Sequence, residues 1–464
     1  MSELNVSEEL MLLQRMKDYY QRGNTKPLAF RMEQLKTLQT LIKTHEAEII
    51  EAHRLDLGRH AFETYAAEIG SVLSSISFAM KHLKQWMKTR KVKTPKYQVG
   101  STSFVIPEPY GVALVIGAFN YPFHLCIEPL IGAISAGDCT VLKPSEQAPN
   151  VSKLIKALME KGFPEEYVKV IEGDKEVITR LIHSPFDYIF FTGSIPVGKV
   201  IMEAAGKNLI PVTLELGGKS PCIVDEDANI GVAAERIVWG KFFNVGQTCI
   251  APDYVLVHES IRKTFAESIK QKISDFYGKD ILASKDYGRI INERHTSRLI
   301  QIINHDRKKI IFGGSFDVSK RYIEPTIMDE VTWEDQVMQD EIFGPILPLM
   351  TYHSIDQAIQ MINQRPKPLA LYAFTENKTI QKKILDRTSA GGCCINDTIS
   401  HLSNHHLPFG GVGHSGMGAY HGKYSFETFS HMKGVLRKST KIRMKMIFPP
   451  YRDSALKLLR KLLK

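Results

Sequence analysis

Residues 112–117 (VALVIG) are followed by 140–143 (TVLK), 168–172 (VKVIE) and 188–192 (YIFFT). Each is a short apolar run rich in β-branched or aromatic residues. The segments between them carry helical periods and are long enough for a crossover helix. Runs of this kind read as strands buried on both faces, so the grammar is βαβ and predicts a parallel sheet covered on both sides. One helix is well marked after the last run. Gly193 and Ser194 precede Pro196, which a first helical turn tolerates because its missing N–H would have no partner there. Val197, Val200, Ile201, Ala204 and Ala205 then form one apolar stripe, and Gly206 is expected to end it. Residues 212–216 alternate again and lead into Gly217-Gly218, from which a second α/β region runs to about residue 405. Upstream, residues 7–95 read as helical, with amphipathic repeats and few Gly or Pro. The chain has no internal repeat. The expected fold is α/β, with a doubly wound parallel sheet and a second α/β region.

A chain of 464 residues allows about three folding units. With 43% hydrophobic and 24% charged residues, disordered and collagen-like classes are excluded. The net charge of +10 is unevenly placed. Residues 433–464 hold 11 basic side chains and one acid, Asp453, which leaves 49 of each sign in residues 1–432. The body is formally neutral, which argues against a nucleic-acid groove. Six cysteines, Cys393 and Cys394 adjacent, do not make a disulfide framework and point to a reduced, intracellular setting. Residues 1–20 are polar and lack an apolar h-region, so a cytoplasmic location is expected. The longest charge-free stretch, 109–127, contains Asn120, Pro122 and His124 and reads as strand, loop and helix start, not a membrane span.

Two pattern matches are set aside. Residues 193–199 fit G-x-x-x-x-G-K, but Val200 stands where a phosphate loop needs Ser or Thr. Residues 411–416 fit G-x-G-x-x-G without a leading strand or a following helix. His401, His405 and His406 near Cys393 and Cys394 match no common zinc spacing, so no metal is expected.

Four segments carry chemistry. Residues 242–254 (FFNVGQTCIAPDY) place Cys249 in a tight turn near a helix end. Alone, that cysteine is either a buried structural residue or a nucleophile. A free thiol of pKa about 8.5 is only about 3% thiolate at neutral pH, so catalysis needs a base or a helix N-terminus nearby. Residues 212–224 (VTLELGGKSPCIV) put Glu215 in an apolar strand, where a carboxyl is either paired or held as a base with a raised pKa. Residues 117–123 (GAFNYPF) place Asn120 after the first core strand, as a turn residue or as an amide donor beside developing negative charge. Residues 341–345 (EIFGP) add an acid and an aromatic in a loop.

Together and in this order, these segments resemble the aldehyde dehydrogenase superfamily, most closely its class 3, fatty aldehyde dehydrogenase-like branch. The resemblance spans about residues 10–435 and includes 142–146 (LKPSE), 191–194 (FTGS), 407–418 (LPFGGVGHSGMG) and 420–431 (YHGKYSFETFSH). It implies a cysteine enzyme that oxidises an aldehyde, medium- or long-chain aliphatic or aromatic, to the acid with NAD or NADP. Cys249 matches the nucleophile, which forms a thiohemiacetal and then a thioester. Asn120 and the backbone N–H of Cys249 match the oxyanion donors. Glu215 matches the general base for deacylation, with Glu341 able to share that duty. Glu341 also matches a nicotinamide-ribose contact and Phe343 a residue beside the ring. Lys143 and Glu146 match adenosine-ribose contacts, and Gly193, Ser194 and Gly198 replace the usual glycine fingerprint. Lys143 favours a 2′-phosphate while Glu146 opposes it, so NAD against NADP stays open. The implied organisation is an NAD(P)-binding domain (1–94 and 108–211), a catalytic domain (212–405), an oligomerisation arm (95–107 and 425–442) serving a homodimer, and a basic amphipathic tail (443–464). Three departures stand out. Phe119 replaces a common Trp; Ile195 and Pro196 occupy the 193–198 loop; Cys393 and Cys394 stand near the substrate mouth, where small apolar residues are usual. The alternative chemistry is a cysteine esterase or acyltransferase without redox.

In the tail, Ser454 is positioned to cap a helix over 455–464. Leucines and Ala455 fill one arc, and Lys457, Arg460, Lys461 and Lys464 the other. Such a helix docks on its own body or a dimer mate, or lies on an anionic membrane as a peripheral contact.

Overall fold

The structure, a computed structural model, describes residues 6–463; residues 1–5 of the expected N-terminal domain and Lys464 of the expected tail lie outside the described residues. The strand Val112–Ile116 stands inside a six-stranded sheet. Cys139–Lys143 and then Val168–Val170 lie to one side of it, and Tyr188–Thr192 and then Val212–Glu215 to the other, all parallel. Gly416–Met417 adds an antiparallel edge. Val112–Ile116, Cys139–Lys143 and Tyr188–Thr192 are buried throughout, as continuous apolar runs require. The chain moves outward to Val168–Val170 and then returns to the far side of Val112–Ile116. The connections leaving Val112–Ile116 and Tyr188–Thr192 therefore diverge, and a crevice opens at their carboxyl ends.

The helix Ile195–Lys207 corrects three expectations. Ile195 and Pro196 form its first turn and are not loop residues, and Gly206 does not end it. Its buried stripe is Gly198, Ile201, Ala204 and Ala205, whereas Val197 and Val200 are exposed. The helical reading of 7–95 holds through the helices Val6–Gln21, Leu28–Thr44, Glu46–Leu57 and Gly70–Trp86, but Arg90–Val92 is already a strand. Charged residues crowd 88–93 and offer no apolar stripe to bury, so the helix stops at Trp86.

The second sheet has seven strands, in the order Ile310–Phe312, Thr326–Met328, Ile346–Tyr352, Tyr254–His258, Pro221–Val224, Ala370–Phe374 and Gly392–Ile395. Only the first is antiparallel to its neighbour. Because Val212–Glu215 pairs with Tyr188–Thr192, the chain crosses between sheets at 216–220. A third, antiparallel sheet joins Arg90–Val92, Ser101–Pro109 and Ser430–Lys438, while Lys423–Thr428 is a short helix.

The tail forms the helix Asp453–Leu462. Ser454 is not its cap: Arg452 precedes the helix, and Ser454 falls in the first turn. Leu456, Leu458, Leu459, Leu462 and Leu463 are all exposed, so the apolar face is not docked on the chain's own body. No helix among the described residues is long and apolar enough to cross a membrane.

Candidate active site

Cys249 owes its place to a strained reversal. The helix Ile230–Phe242 ends, and Asn244, Val245 and Gly246 follow with φ of 51°, 57° and 73°. A β-branched residue at positive φ costs of order 1–3 kcal/mol and persists only where its surroundings enforce it. Here they do. A Cβ on Gly246 would stand 2.3 Å from the Gly344 carbonyl oxygen, so the turn packs onto the 341–345 loop. Asn244 Nδ2 donates to the carbonyls of Asn120 at 2.9 Å and Gln247 at 3.1 Å. Gln247 Nε2 donates to the Asn244 carbonyl at 3.2 Å, and its Oε1 accepts from the Ile291 N–H at 2.9 Å. The result is that Cys249, alone among residues 241–250, is not fully buried.

The adjoining helix end is a C-terminus, whose partial charge is negative and gives a thiolate no help. Burial, then the carboxyls of Glu341 and Glu215, push the Cys249 thiol up, against the N–H groups of Cys249 and Ile250, which favour the anion. The resting sulfur is a thiol, so it needs a base to react. Two carboxyls face it.

Glu215 ends its strand with 3% exposure, and neither carboxyl oxygen has a hydrogen-bond partner. Burial alone holds it well above the usual carboxylate range. Glu341 is pushed up to about 8 by burial and by Asp253, partly offset by the Gly218 N–H, Lys219 and Arg298. Its loop is tied down from several sides. Lys219 Nζ reaches Asp253 Oδ2 at 2.5 Å and the carbonyls of Val337 and Asp340 at 3.1 and 2.9 Å. The Ile342 N–H donates to Asp253 Oδ1 at 2.9 Å, and Arg298 donates to the Ile342 carbonyl. Phe343, at φ 46°, meets Phe119 edge-on with ring centres 5.6 Å apart, and the His295 ring lies 5.1 Å from that of Phe119.

Asn120 leaves the strand Val112–Ile116 and is 3% exposed. The following Tyr121 carries its hydroxyl to 2.7 Å from Thr248 Oγ1, next to Cys249. The segments that carry residues 120 and 249, far apart in the chain, thereby meet. The remaining expected contacts lie at carboxyl ends of the first sheet. Lys143 Nζ donates to the Pro144 carbonyl at 2.7 Å and meets Glu146 Oε2 at 3.3 Å. Gly193 follows Tyr188–Thr192, and Ser194 precedes the helix Ile195–Lys207 without capping it. Ser194 is exposed and Pro196 has no N–H, so the N–H groups of Ile195 and Val197 are the uncapped donors that the helix start offers an anion. A Cβ on Gly198 would come to 2.7 Å from Leu216 Cδ2, so glycine is what allows the helix to lie tight on the strand end. The exposed Val197 and Val200 add an apolar face beside that terminus. These groups fit a dinucleotide: uncapped N–H donors for its phosphates, a charged pair for a ribose, and an apolar surface.

The histidine and cysteine group divides. Cys394 Sγ lies 3.2 Å from His401 Nδ1, whereas His405 and His406 pack on Phe78. Sequence reading missed Arg59 and Glu68, which no motif marks, and gave no role to Tyr121, Lys219, Thr248 and Asp253, although they lie within the segments 117–123, 212–224 and 242–254.

Two lobes, one doubly wound, with a partly accessible thiol facing two carboxyls, give an α/β architecture with a candidate site at Cys249. The aldehyde dehydrogenase family model matches residues 11–435. A 4,4'-diaponeurosporen-aldehyde dehydrogenase of Staphylococcus aureus is 53% identical over 436 residues, 94% of this chain and 95% of that protein. The mouse dimeric NADP-preferring aldehyde dehydrogenase is 47% identical over 428 residues, 92% and 94% of the two chains. The solved substrate-bound state of Staphylococcus aureus AldH shares 50% identity and a TM-score of 0.97, covering 99% of this chain and 100% of that one. The chain belongs to the aldehyde dehydrogenase family, and its reaction class is aldehyde oxidation.

Proposed function

We propose that this enzyme oxidises a medium- or long-chain aliphatic or aromatic aldehyde to the carboxylic acid through a covalent intermediate on Cys249. The observation that carries this reading is the accessible Cys249 thiol under Glu215 and Glu341, with Asn120 held beside it. Cys249 loses its proton to a facing carboxylate and attacks the aldehyde carbon. The oxygen of the thiohemiacetal takes hydrogen bonds from the Asn120 amide and the Cys249 N–H; one such donor is typically worth roughly 3–4 kcal/mol in the transition state. NAD or NADP, when bound, supplies the two-electron acceptor that makes the thioester accessible. Lys143, Glu146, Gly193, Ser194 and Gly198 would hold its adenosine and phosphate portion, and Glu341 and Phe343 its nicotinamide portion. Glu215, desolvated and without a partner, then takes the proton of the water that cleaves the thioester.

A panel of aldehydes from short to long chain and aromatic, run with NAD and with NADP, tests this reading. Reduced nicotinamide should form at least with the longer or aromatic members. Ester hydrolysis that needs no nicotinamide, with no reduced nicotinamide from any aldehyde, would point instead to a cysteine esterase or acyltransferase.

Two surfaces extend the proposal. Ser430–Lys438 is a nine-residue outer strand with Met432 and Leu436 exposed. A long open edge is a ready pairing surface, so we assign it to a second copy of the chain. The mouse relative's description as dimeric agrees with that assignment. The tail helix Asp453–Leu462 presents exposed leucines opposite Lys457, Arg460 and Lys461, after a segment where Ile442, Phe448 and Tyr451 are also exposed. Apolar and basic faces together complement an anionic bilayer surface, which we take as its partner. With six free cysteines, the enzyme belongs in the cytoplasm, touching the membrane from that side.

A further inference from the structure

Arg59 follows the helix Glu46–Leu57 in a loop that no sequence motif marks. Its buried guanidinium makes three contacts at once. One arm donates to Glu68 Oε1 at 2.6 Å, the other donates to the Asn120 carbonyl at 2.6 Å, and the guanidinium carbon lies 4.9 Å from the centre of the Tyr121 ring. Glu68 is itself clamped. His53 Nε2 stands 3.1 Å from its Oε1, and the His124 N–H donates to its Oε2 at 2.7 Å. These partners hold its carboxyl at about 2 despite complete burial, so it is ionised at working pH. Glu68 belongs to a π-helical turn, Tyr65–Ile69, and wide turns of this kind are rare and often sit at functional sites.

From Arg59 the contacts run both ways around the proposed oxyanion pocket. The Asn120 carbonyl that it holds also accepts from Asn244 Nδ2, in the strained turn before Cys249. The Tyr121 ring on which it stacks delivers its hydroxyl to Thr248. We propose that Arg59 is a positioning residue for the oxyanion pocket: clamped by Glu68, it fixes the Asn120 backbone and the Tyr121 ring, and through Tyr121 and Thr248 it sets the Asn120 amide against Cys249. The proposal rests on the roles given above to Asn120 and Cys249. A planar fork can bond two acceptors and stack on a ring together; an ammonium on a flexible stem cannot. A buried ion pair contributes little net stability compared with well-packed apolar residues of the same volume, so its orienting work gives it a reason to be here.

The test uses the full-length enzyme without nicotinamide. Acylation of Cys249 by p-nitrophenyl acetate builds the same kind of oxyanion. The burst amplitude counts competent thiols, and the burst rate per competent thiol reports the pocket. Arg59→Lys keeps the charge that Glu68 requires and loses the fork; its burst rate should fall roughly 10- to 100-fold, as expected for ångström-scale misplacement of a donor. Tyr121→Phe removes only the hydroxyl and should lower the rate several-fold, and it decides the matter if Arg59→Lys does not fold. A purely structural role would reduce the amplitude or the melting temperature and leave the rate per thiol unchanged. That result in either folded variant overturns the proposal. Cys249→Ala, run alongside, should give no burst; a burst in that variant would refute the nucleophile itself.

Discussion

The carboxyl group of Glu341 rests directly on the backbone of Gly217: a Cβ added to that glycine would stand 2.0 Å from Glu341 Oε2. Gly217 is two residues from Glu215, so one small residue lets both carboxyls approach Cys249, Glu215 from the end of its strand and Glu341 from its loop. Gly217→Ala should displace Glu341 while leaving the fold intact, because the obstructing atoms are the far end of a side chain. The cost in stability should be about 1–3 kcal/mol. The reading of Glu341 as a nicotinamide-side contact predicts a KM for the nucleotide raised roughly 10-fold, which corresponds to about 1.4 kcal/mol. An unchanged nucleotide KM would separate Glu341 from that site.

Nucleophile and base should separate kinetically. Cys249→Ala should abolish turnover. Glu215→Gln should still release one equivalent of reduced nicotinamide per site and then stall, with steady-state kcat lower by about 100- to 10,000-fold. Rapid-mixing absorbance distinguishes burst from steady state. A full steady-state rate in Glu215→Gln would remove Glu215 from the base role.

Activity should rise with pH. Glu341, held at about 8, is largely protonated near pH 6 and becomes a competent base as pH increases, and burial shifts Glu215 in the same direction. The limb of kcat against pH should therefore climb through the region around 8. Stability should respond with the opposite sign. A carboxyl whose folded pKa lies above its unfolded value favours the folded state at low pH and loses that contribution as pH rises from about 4.5 toward the folded value. Glu68, held at about 2, works the other way, and its stabilisation disappears as pH falls below about 4 toward 2. Denaturant titrations of Glu341→Gln and Glu68→Gln across pH would show the two trends; a kcat flat between pH 6 and 9 would contradict the assignment of the bases.

Assembly should depend on the outer strand. Leu436 is exposed on Ser430–Lys438, and Leu436→Lys places a charge on the proposed pairing surface without touching either larger sheet. Light scattering should report half the mass of the unaltered enzyme. A dimer that survives this change would point to a different interface.

Membrane contact should reside in the tail. Ending the chain at residue 448 removes the helix Asp453–Leu462 and should abolish sedimentation with vesicles rich in anionic lipid, while short-chain aldehyde oxidation continues. Binding of the full chain should weaken as salt rises. Undiminished binding by the shortened chain would dispose of the membrane assignment; a change of oligomeric state on truncation would assign the leucines to a partner copy.

Parts of this molecule were legible because local pattern and tertiary role coincide. Val112–Ile116 and Tyr188–Thr192 are buried on both faces, and their unbroken apolar runs say so. Glu215 is conspicuous as an acid in an apolar strand beside two glycines, and Cys249 as a thiol between a glycine turn and a proline. Other parts were not legible. Val197 and Val200 share the helical period of Ile201 and Ala204, yet they face outward. Periodicity reports that a stripe is apolar, not whether it meets a core or a ligand. Ser454 has the right chemistry for a cap, but the helix begins at Asp453, two residues before the start such a cap would give.

From the order of its residues alone, this chain declares two α/β units, a cysteine, two carboxyls and an amide suited to acyl chemistry, and a segregated basic tail. Those properties are local, set by side-chain type and by periods of two and 3.6 residues. Tertiary structure decided which of the groups meet. Arg59, Glu68, Asn120-Tyr121 and Thr248 are joined across the chain by hydrogen bonds and one buried ion pair. Such contacts have no period and no spacing to read, because they exist only after two sheets have packed and water has been driven from between them.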